Sequence, residues 1–394
     1  MRALNNLSMR IKIYAICVIF VVPIAYALVS YVGQKNELID FAQRERRGLA
    51  FIADVRTTTG AVNGSGAELA NQLRQIDTTA ADAGQGMDTA AQLAEFSAAA
   101  RAVVVLPAGD REGKQPAALA VAFDKTAALI TRIADESNLS LDPDLDSYYA
   151  QDVVTAKVPA LIYHLAIAKG LLQRAATAGP PIAAGRFDYR EVAVQIKADI
   201  AAIGADFSSA YRGHDGASLR SGIAGTLDAA GEASGRVTAL VDTLVSDNAA
   251  PVDVAAVERS LAGANVAAFS LWAKASDEVE RLLGQRIASL RFSMRSTLGM
   301  TLVLVVLSFG LATWIAQRVV GPLGRLEKLA EAVRQMTIRC AAITWETMKL
   351  AGWRWRSTAC SRRSPKRVIA ARRTSASGNG SARSIPVAPR AWGN

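Results

Sequence analysis

Cysteine is almost missing from this chain: Cys17, Cys340 and Cys360 are the only three among 394 residues. None falls between residues 18 and 339, so no disulfide can brace that stretch and its stability has to come from packing. Histidine is scarcer still. His164 and His214 stand far apart with no cysteine near either, which leaves no metal-ligand spacing, and no metal or cofactor is expected. There is no G-x-G-x-x-G, no phosphate-binding loop and no nucleophile placed beside a base, so the chain is expected not to be an enzyme. Aspartate is absent from residue 337 onward, where twelve Lys/Arg meet one acid, Glu346. The first 336 residues carry 33 basic and 34 acidic side chains, so the basic character of the whole belongs to its last part. Four of the six tryptophans (Trp345, Trp353, Trp355 and Trp392) lie there too.

What the chain does have is two long apolar runs. Ile13 to Gly33 and Ser296 to Ala316 are each 21 residues without a charge. At 1.5 Å per residue, either one as a helix crosses about 30 Å of hydrocarbon. Trp314, near the end of the second run, suits the headgroup level, and neighbouring helices can satisfy the carbonyl that Pro23 frees in the first. Arg2, Arg10 and Lys12 followed by Ala25-Tyr26-Ala27 also fit a cleaved signal peptide. The apolar text continues past that point through Leu28, Val29, Tyr31 and Val32, which favours an uncleaved anchor. Charge does not orient the pair: Arg2, Arg10, Lys12, Arg318, Arg325 and Lys328 on one side face Lys35, Arg44, Arg46, Arg47, Arg291 and Arg295 on the other.

Between the runs, alanine is abundant and β-branched runs are short, so the segment is predicted to be helical. Breaks are expected at Leu106–Gly109, Leu141–Asp144, Gly179–Pro181, Gly213–Gly216 and Asn248–Pro251. The segments they leave are the lengths of bundle helices. In the last of them Val254, Val257, Leu261, Ala264, Ala268, Leu271, Ala275, Leu282 and Leu290 follow three-four spacing, the stripe of a helix seam. No breaker separates that stripe from the second apolar run. A continuous rod of this kind suits a small piston or rotation movement.

Asp142, Asp144 and Asp146 alternate like the start of a calcium loop. Ser147 replaces the glycine such a loop needs, and Val153 stands where its bidentate Glu belongs. A plainer expectation is that Asp146 or Ser147 caps a helix starting at Tyr148. Asp146, Tyr148, Tyr149 and Asp152 remain candidates for a ligand pocket, as do Arg44, Arg46 and Arg47 for an acidic ligand or anionic lipid. The alternatives are a helix start that packs and a solvated helix face.

From Arg318 the chain runs R-V-V-G-P-L-G-R-L-E-K-L-A-E-A-V-R-Q-M. This resembles the first helix of a HAMP signalling domain, with Pro322 at the family's proline position and Leu323, Leu326, Ala330 and Val333 as seam residues. The resemblance implies a parallel four-helix bundle across a homodimer, since one amphipathic helix cannot bury its stripe alone. A shifted reading of the codons for Trp345 to Arg356 permits G-D-D-E-A-G-R-L-A-L-A, while the other frame stops at Met348-Lys349. That hidden string resembles the start of the second HAMP helix, so residues 337–394 are expected to be out of frame. The alternative is a genuine basic, disordered tail.

The stretch S-N-L-S-L-D-P-D-L-D-S-Y-Y (Ser137 to Tyr149), followed by an apolar helix, is similar to helical sensor domains of methyl-accepting chemotaxis proteins. The resemblance implies an all-α protein of the bacterial inner membrane. It would have a cytoplasmic N-terminus (1–12), spans at 13–33 and 296–316, and a periplasmic helical sensor at 34–295 whose length suits two stacked modules. The first HAMP helix (317–336) and the basic tail (337–394) would follow. Partners implied are a second copy of the chain, the membrane, and a periplasmic small molecule or binding protein, with no nucleic acid. The signalling hairpin and its kinase-contact tip are absent from the sequence, so a truncated receptor is expected. The alternatives are the N-terminal part of a sensor histidine kinase and a membrane-anchored adaptor with a functional basic tail.

Overall fold

The computed structural model describes residues 9–62, 66–106, 111–178, 185–246, 253–320 and 329–339. Every regular element among them is a helix. In chain order these are α1 (Met9–Ala61), α2 (Gly66–Asp82), α3 (Ala90–Val105), α4 (Arg111–Glu136), α5 (Leu145–Asp152), α6 (Val158–Ala178), α7 (Arg186–Ala210), α8 (Gly216–Leu244) and α9 (Val254–Ile315). A 3₁₀ turn (Leu139–Leu141) precedes α5, and single π-helical turns follow α5 (Val153–Lys157) and α9 (Ala316–Val320). Residues 1–320 form one compact unit and 321–394 a second. Of the second, residues 329–339 are described, as a helix with every side chain exposed.

The helices of the first unit close into two four-membered rings. α1, α2, α3 and α4 make one and α6, α7, α8 and α9 the other, each helix packing on its two ring neighbours. The rings are fused side by side, with α1 against α9 and α4 against α6. The segment's length had suggested two stacked modules; the observed pair shares a long common wall instead. Trp272, Phe51, Phe96 and Phe207 are fully enclosed in a core that runs continuously through both rings. Each such side chain contributes about 1.5–3 kcal/mol of burial, which is how a fold of this size stands without a disulfide.

The stripe expected on the last helix is filled from within the chain. Val257, Leu261, Ala264, Ala268, Leu271, Ala275 and Leu282 are buried, and α1, α6 and α8 supply the facing surfaces. Leu290 packs on a small satellite cluster of Ile39, Ala42 and Ile287, while Val254 is exposed. This stripe therefore gives no argument for a second subunit.

Two expectations about breaks are corrected. The first long segment divides at a turn between α2 and α3, where Gly86 takes φ +82° and Gly84 N–H bonds Thr79 O at 3.0 Å. A side chain disfavours that positive φ, so glycine is the natural residue there. The helix expected to begin at Tyr148 under an Asp146 or Ser147 cap starts at Leu145 instead. Asp142 Oδ1 accepts from Asp144 N–H at 2.8 Å and turns the chain into it. The Asp146 carboxylate reaches across to the turn before α8, where Oδ2 accepts from Asp215 N–H at 3.1 Å. The expected breaks at Leu141–Asp144 and Gly213–Gly216 are present as turns. Those at 107–109, 179–181 and 248–251 lie outside the described residues, apart from Leu106, which follows α3.

α1 and α9 have 53 and 62 residues, and α1 passes through Pro23 without a break. At 1.5 Å per residue they are about 80 and 93 Å long. They lie antiparallel in a fixed register. Tyr14 Oη and Thr313 Oγ1 are 3.0 Å apart, Tyr31 Oη and Ser293 Oγ 3.1 Å, and Arg46 Nε donates to Glu280 Oε1 at 2.8 Å. Both helices are long and apolar enough to cross a membrane, and their apolar windows are 0 % and 6 % buried within the protein. Ile19, Phe20, Val22 and Val29 on one, with Leu302, Val306, Leu307 and Leu311 on the other, stand exposed. Contiguous exposed apolar surface of this extent is unfavourable in water and favourable in hydrocarbon.

Candidate functional site

One guanidinium ties α9 to α1 and to the turn that leads into α5. Arg286, on α9, donates through Nη1 to Glu45 Oε2 of α1 at 3.2 Å. Its Nη2 meets Asp142 Oδ1 and, at 2.7 Å, Ser147 Oγ. Its Nε lies 2.6 Å from Asp144 Oδ2. Three separate segments thus converge on one side chain. The Glu45 and Asp142 side chains are wholly buried, and Arg286 is 14 % exposed. Gln151 Nε2 ties the far side of Asp142 at 2.6 Å.

Three carboxylates share one cation here, and desolvation makes a second unbalanced charge expensive. The strain falls on Glu45. Burial, and then the neighbouring Asp142 charge, push its carboxyl up from 4.5 to about 8, against the opposing pull of Arg286 and Gln151. At neutral pH it is therefore mostly protonated. Glu45 Oε1 and Gln151 Oε1 both lack a partner at hydrogen-bonding geometry. A neutral Glu45 leaves Arg286 balanced chiefly by Asp142 and Asp144. Counting along the helices, the clamp stands about 15–18 Å beyond the apolar runs, a few turns into the bundle.

A groove of about 820 Å³ lies along the same two helices. Arg44, Arg46, Arg47 and Arg56 line it with Asp40, Asp277 and Glu280, over Leu49, Ala50, Ala53 and Ala83. Arg46 is neutralised by Glu280. Arg56 is partly buried, and burial pulls its pKa down, against the charges of Asp277 and Asp54.

The candidate residues read from the sequence do not form one site. Arg44, Arg46 and Arg47 come together in the groove. Asp146 lines a separate 460 Å³ recess with His214, Asp215 and Arg286. Tyr148 is half-exposed and meets Tyr149 edge-to-face at 5.2 Å, while Tyr149 packs on the core. Asp152 turns to α7. It pairs with Lys157 at 3.2 Å and lies beside Asp206, whose carboxyl rises to about 6, first from burial and then from the neighbouring Asp152. Glu45, Asp142, Asp144 and Arg286 were not singled out as a set. A signal for two of them was present. Glu45 interrupts Ala42, Leu49 and Ile52, and Arg286 interrupts Leu282, Leu283 and Ile287, each a charge in an apolar seam. In the sequence Asp142 and Asp144 read only as a failed calcium pattern; in the structure Asp142 Oδ1 and Asp144 Oδ2 meet Arg286, while Asp142 Oδ2 accepts from Gln151.

Of the HAMP-like residues, Pro322, Leu323 and Leu326 lie outside the described residues. Ala330 and Val333 fall in the exposed helix 329–339. From Cys340 onward the segment expected to be out of frame also lies outside them. No family model matches the chain, and no curated protein or solved structure is found to be similar to it.

Proposed function

We propose that the chain is the sensing and membrane portion of a bacterial receptor of the methyl-accepting chemotaxis type, not an enzyme. The observation that carries this reading is the continuity of α1 and α9. As one antiparallel pair they run from the buried Arg286 clamp into two exposed apolar windows. On this reading the windows cross the inner membrane, and the helical rings stand in the periplasm. The HAMP-like helix, with Leu326 and Val333 on its seam, pairs across a homodimer in the cytoplasm. A ligand or binding protein that favours one setting of the rings over another biases the position of α9 against α1, which is a population shift with no chemistry. The clamp is where that bias enters the pair.

The test joins residues 1–336 in frame to the kinase-controlling hairpin of a characterised receptor and reads kinase activity in membranes. Arg286→Met leaves the buried Asp142 without its cation, a change worth about 3–5 kcal/mol in a buried pair. It is expected to move kinase output several-fold, while Arg190→Met, on an exposed face of α7, leaves it unchanged. Cysteine at Leu326 should cross-link the fusion as a dimer in both. Equal output from all three, in dimers of equal abundance and helicity, contradicts the reading.

A further inference from the structure

We propose that the groove between α1 and α9 is a binding site for a small carboxylate, held by Arg56 with Arg44 and Arg47 at the mouth. The site stands on its own geometry, and only its consequence for signalling rests on the receptor reading above.

The first observation is an unused donor. Arg56 lines the groove, and its Nη1 is shielded from solvent with no hydrogen-bond partner. A buried guanidinium donor without an acceptor is costly, and such groups are rare in folded proteins unless something else supplies the acceptor. The second is the state of the neighbouring cations. Arg46 is taken by Glu280, but Arg44, Arg47 and Arg56 form no ion pair among the described residues. The third is the apolar part of the lining. Leu49, Ala50, Ala53 and Ala83 supply it, and about 820 Å³ is ample for a small molecule with an apolar body.

The same lining chooses among anions. A planar carboxylate matches the guanidinium fork with two parallel hydrogen bonds. Asp40 and Asp277 also line the groove, so a compact dianion such as phosphate meets like charge that a single carboxylate largely escapes. A phosphodiester lipid headgroup offers oxyanion chemistry too, but it has to reach Arg56, which at 23 residues past Gly33 is about 35 Å along α1. Even the groove's nearer end, at Asp40, is about 10 Å along α1 from the apolar run.

Binding calorimetry on the full chain in zwitterionic nanodiscs tests this, with acetate, lactate, succinate and inorganic phosphate as probes. At least one carboxylate is expected to bind saturably and to weaken roughly tenfold or more in Arg56→Met, the loss of a charge-assisted pair. Arg56→Lys, which keeps the charge and loses the fork, should fall between, and Arg190→Met should bind as the parent does. Thermal unfolding without ligand keeps folding separate, since a cooperative transition in Arg56→Met shows that lost binding is not lost fold. Four results overturn the proposal: no carboxylate binding; binding that ignores Arg56→Met; phosphate binding in place of carboxylate; or an Arg56-dependent stabilisation by phosphatidylglycerol nanodiscs alone. Carboxylate binding without any kinase response in the fusion would sink the receptor reading and leave the site standing.

Discussion

At the scale of single residues, the fold turns on charges in places where apolar side chains would be cheaper. Glu45 occupies a seam position between Ala42 and Leu49, and its side chain is wholly buried. Its folded pKa of about 8 lies above the ordinary 4.5, so the folded state holds this proton more tightly than the unfolded chain does. The contribution is therefore fully present below about pH 4.5, and it is lost progressively as pH rises towards 8. Asp206, raised from 3.8 to about 6, acts in the same direction over a narrower window. Glu45→Gln keeps the shape and removes the titration. Melting temperature measured from about pH 5 to pH 9 should fall less steeply for this variant than for the parent, with the variant the more stable at the alkaline end. Parallel curves would show that Glu45 is not a buried proton carrier. The sequence disclosed the candidate arginines and the Asp142–Asp146 run, but not their partners. Glu45 and Asp142 are 97 residues apart, and Asp142 and Arg286 144. Only the antiparallel return of α9 alongside α1 brings them together.

At the scale of elements, helix identity was legible from composition and spacing, and several boundaries were not. The stripe from Val257 to Leu282 was readable because its period is set by the helix itself. The turn between α2 and α3 was missed because Gly84 and Gly86 sit singly in alanine-rich text, where a glycine is often tolerated in a helix. Close approach between elements was equally invisible. Gly48 of α1 faces the turn after α4, and a Cβ there would overlap Ser137 Oγ and Cβ and crowd Leu139. Gly225 of α8 has open space around its Cβ position. Gly48→Ala should therefore destabilise by about 1–3 kcal/mol through overpacking, while Gly225→Ala should stabilise by up to about 1 kcal/mol through helix propensity. Denaturant unfolding of both variants checks the pair. A Gly48→Ala chain as stable as the parent would mean that α1 does not approach the turn as closely as described.

At the scale of the whole molecule, two fused four-helix rings hang on one antiparallel helix pair whose ends are apolar and uncovered. Among the described residues nothing buries those ends, although the helices of the two rings pack their apolar residues well. A bilayer resolves that contrast, since a helix satisfies its own backbone hydrogen bonds and asks only for hydrocarbon around it. It also gives the Arg286 clamp a purpose, as the charged tie to the rings before α1 and α9 continue with the Tyr31–Ser293 and Tyr14–Thr313 contacts between them. The most direct test uses single cysteines in a chain whose Cys17, Cys340 and Cys360 are serine. One is placed at Ser221, exposed on α8, and one at Arg318, just past α9. Intact cells with the outer membrane permeabilised are treated with a maleimide that cannot cross the inner membrane. The account predicts labelling at position 221 in intact cells and at position 318 only after lysis. Labelling of both positions in intact cells, or of neither, would contradict it.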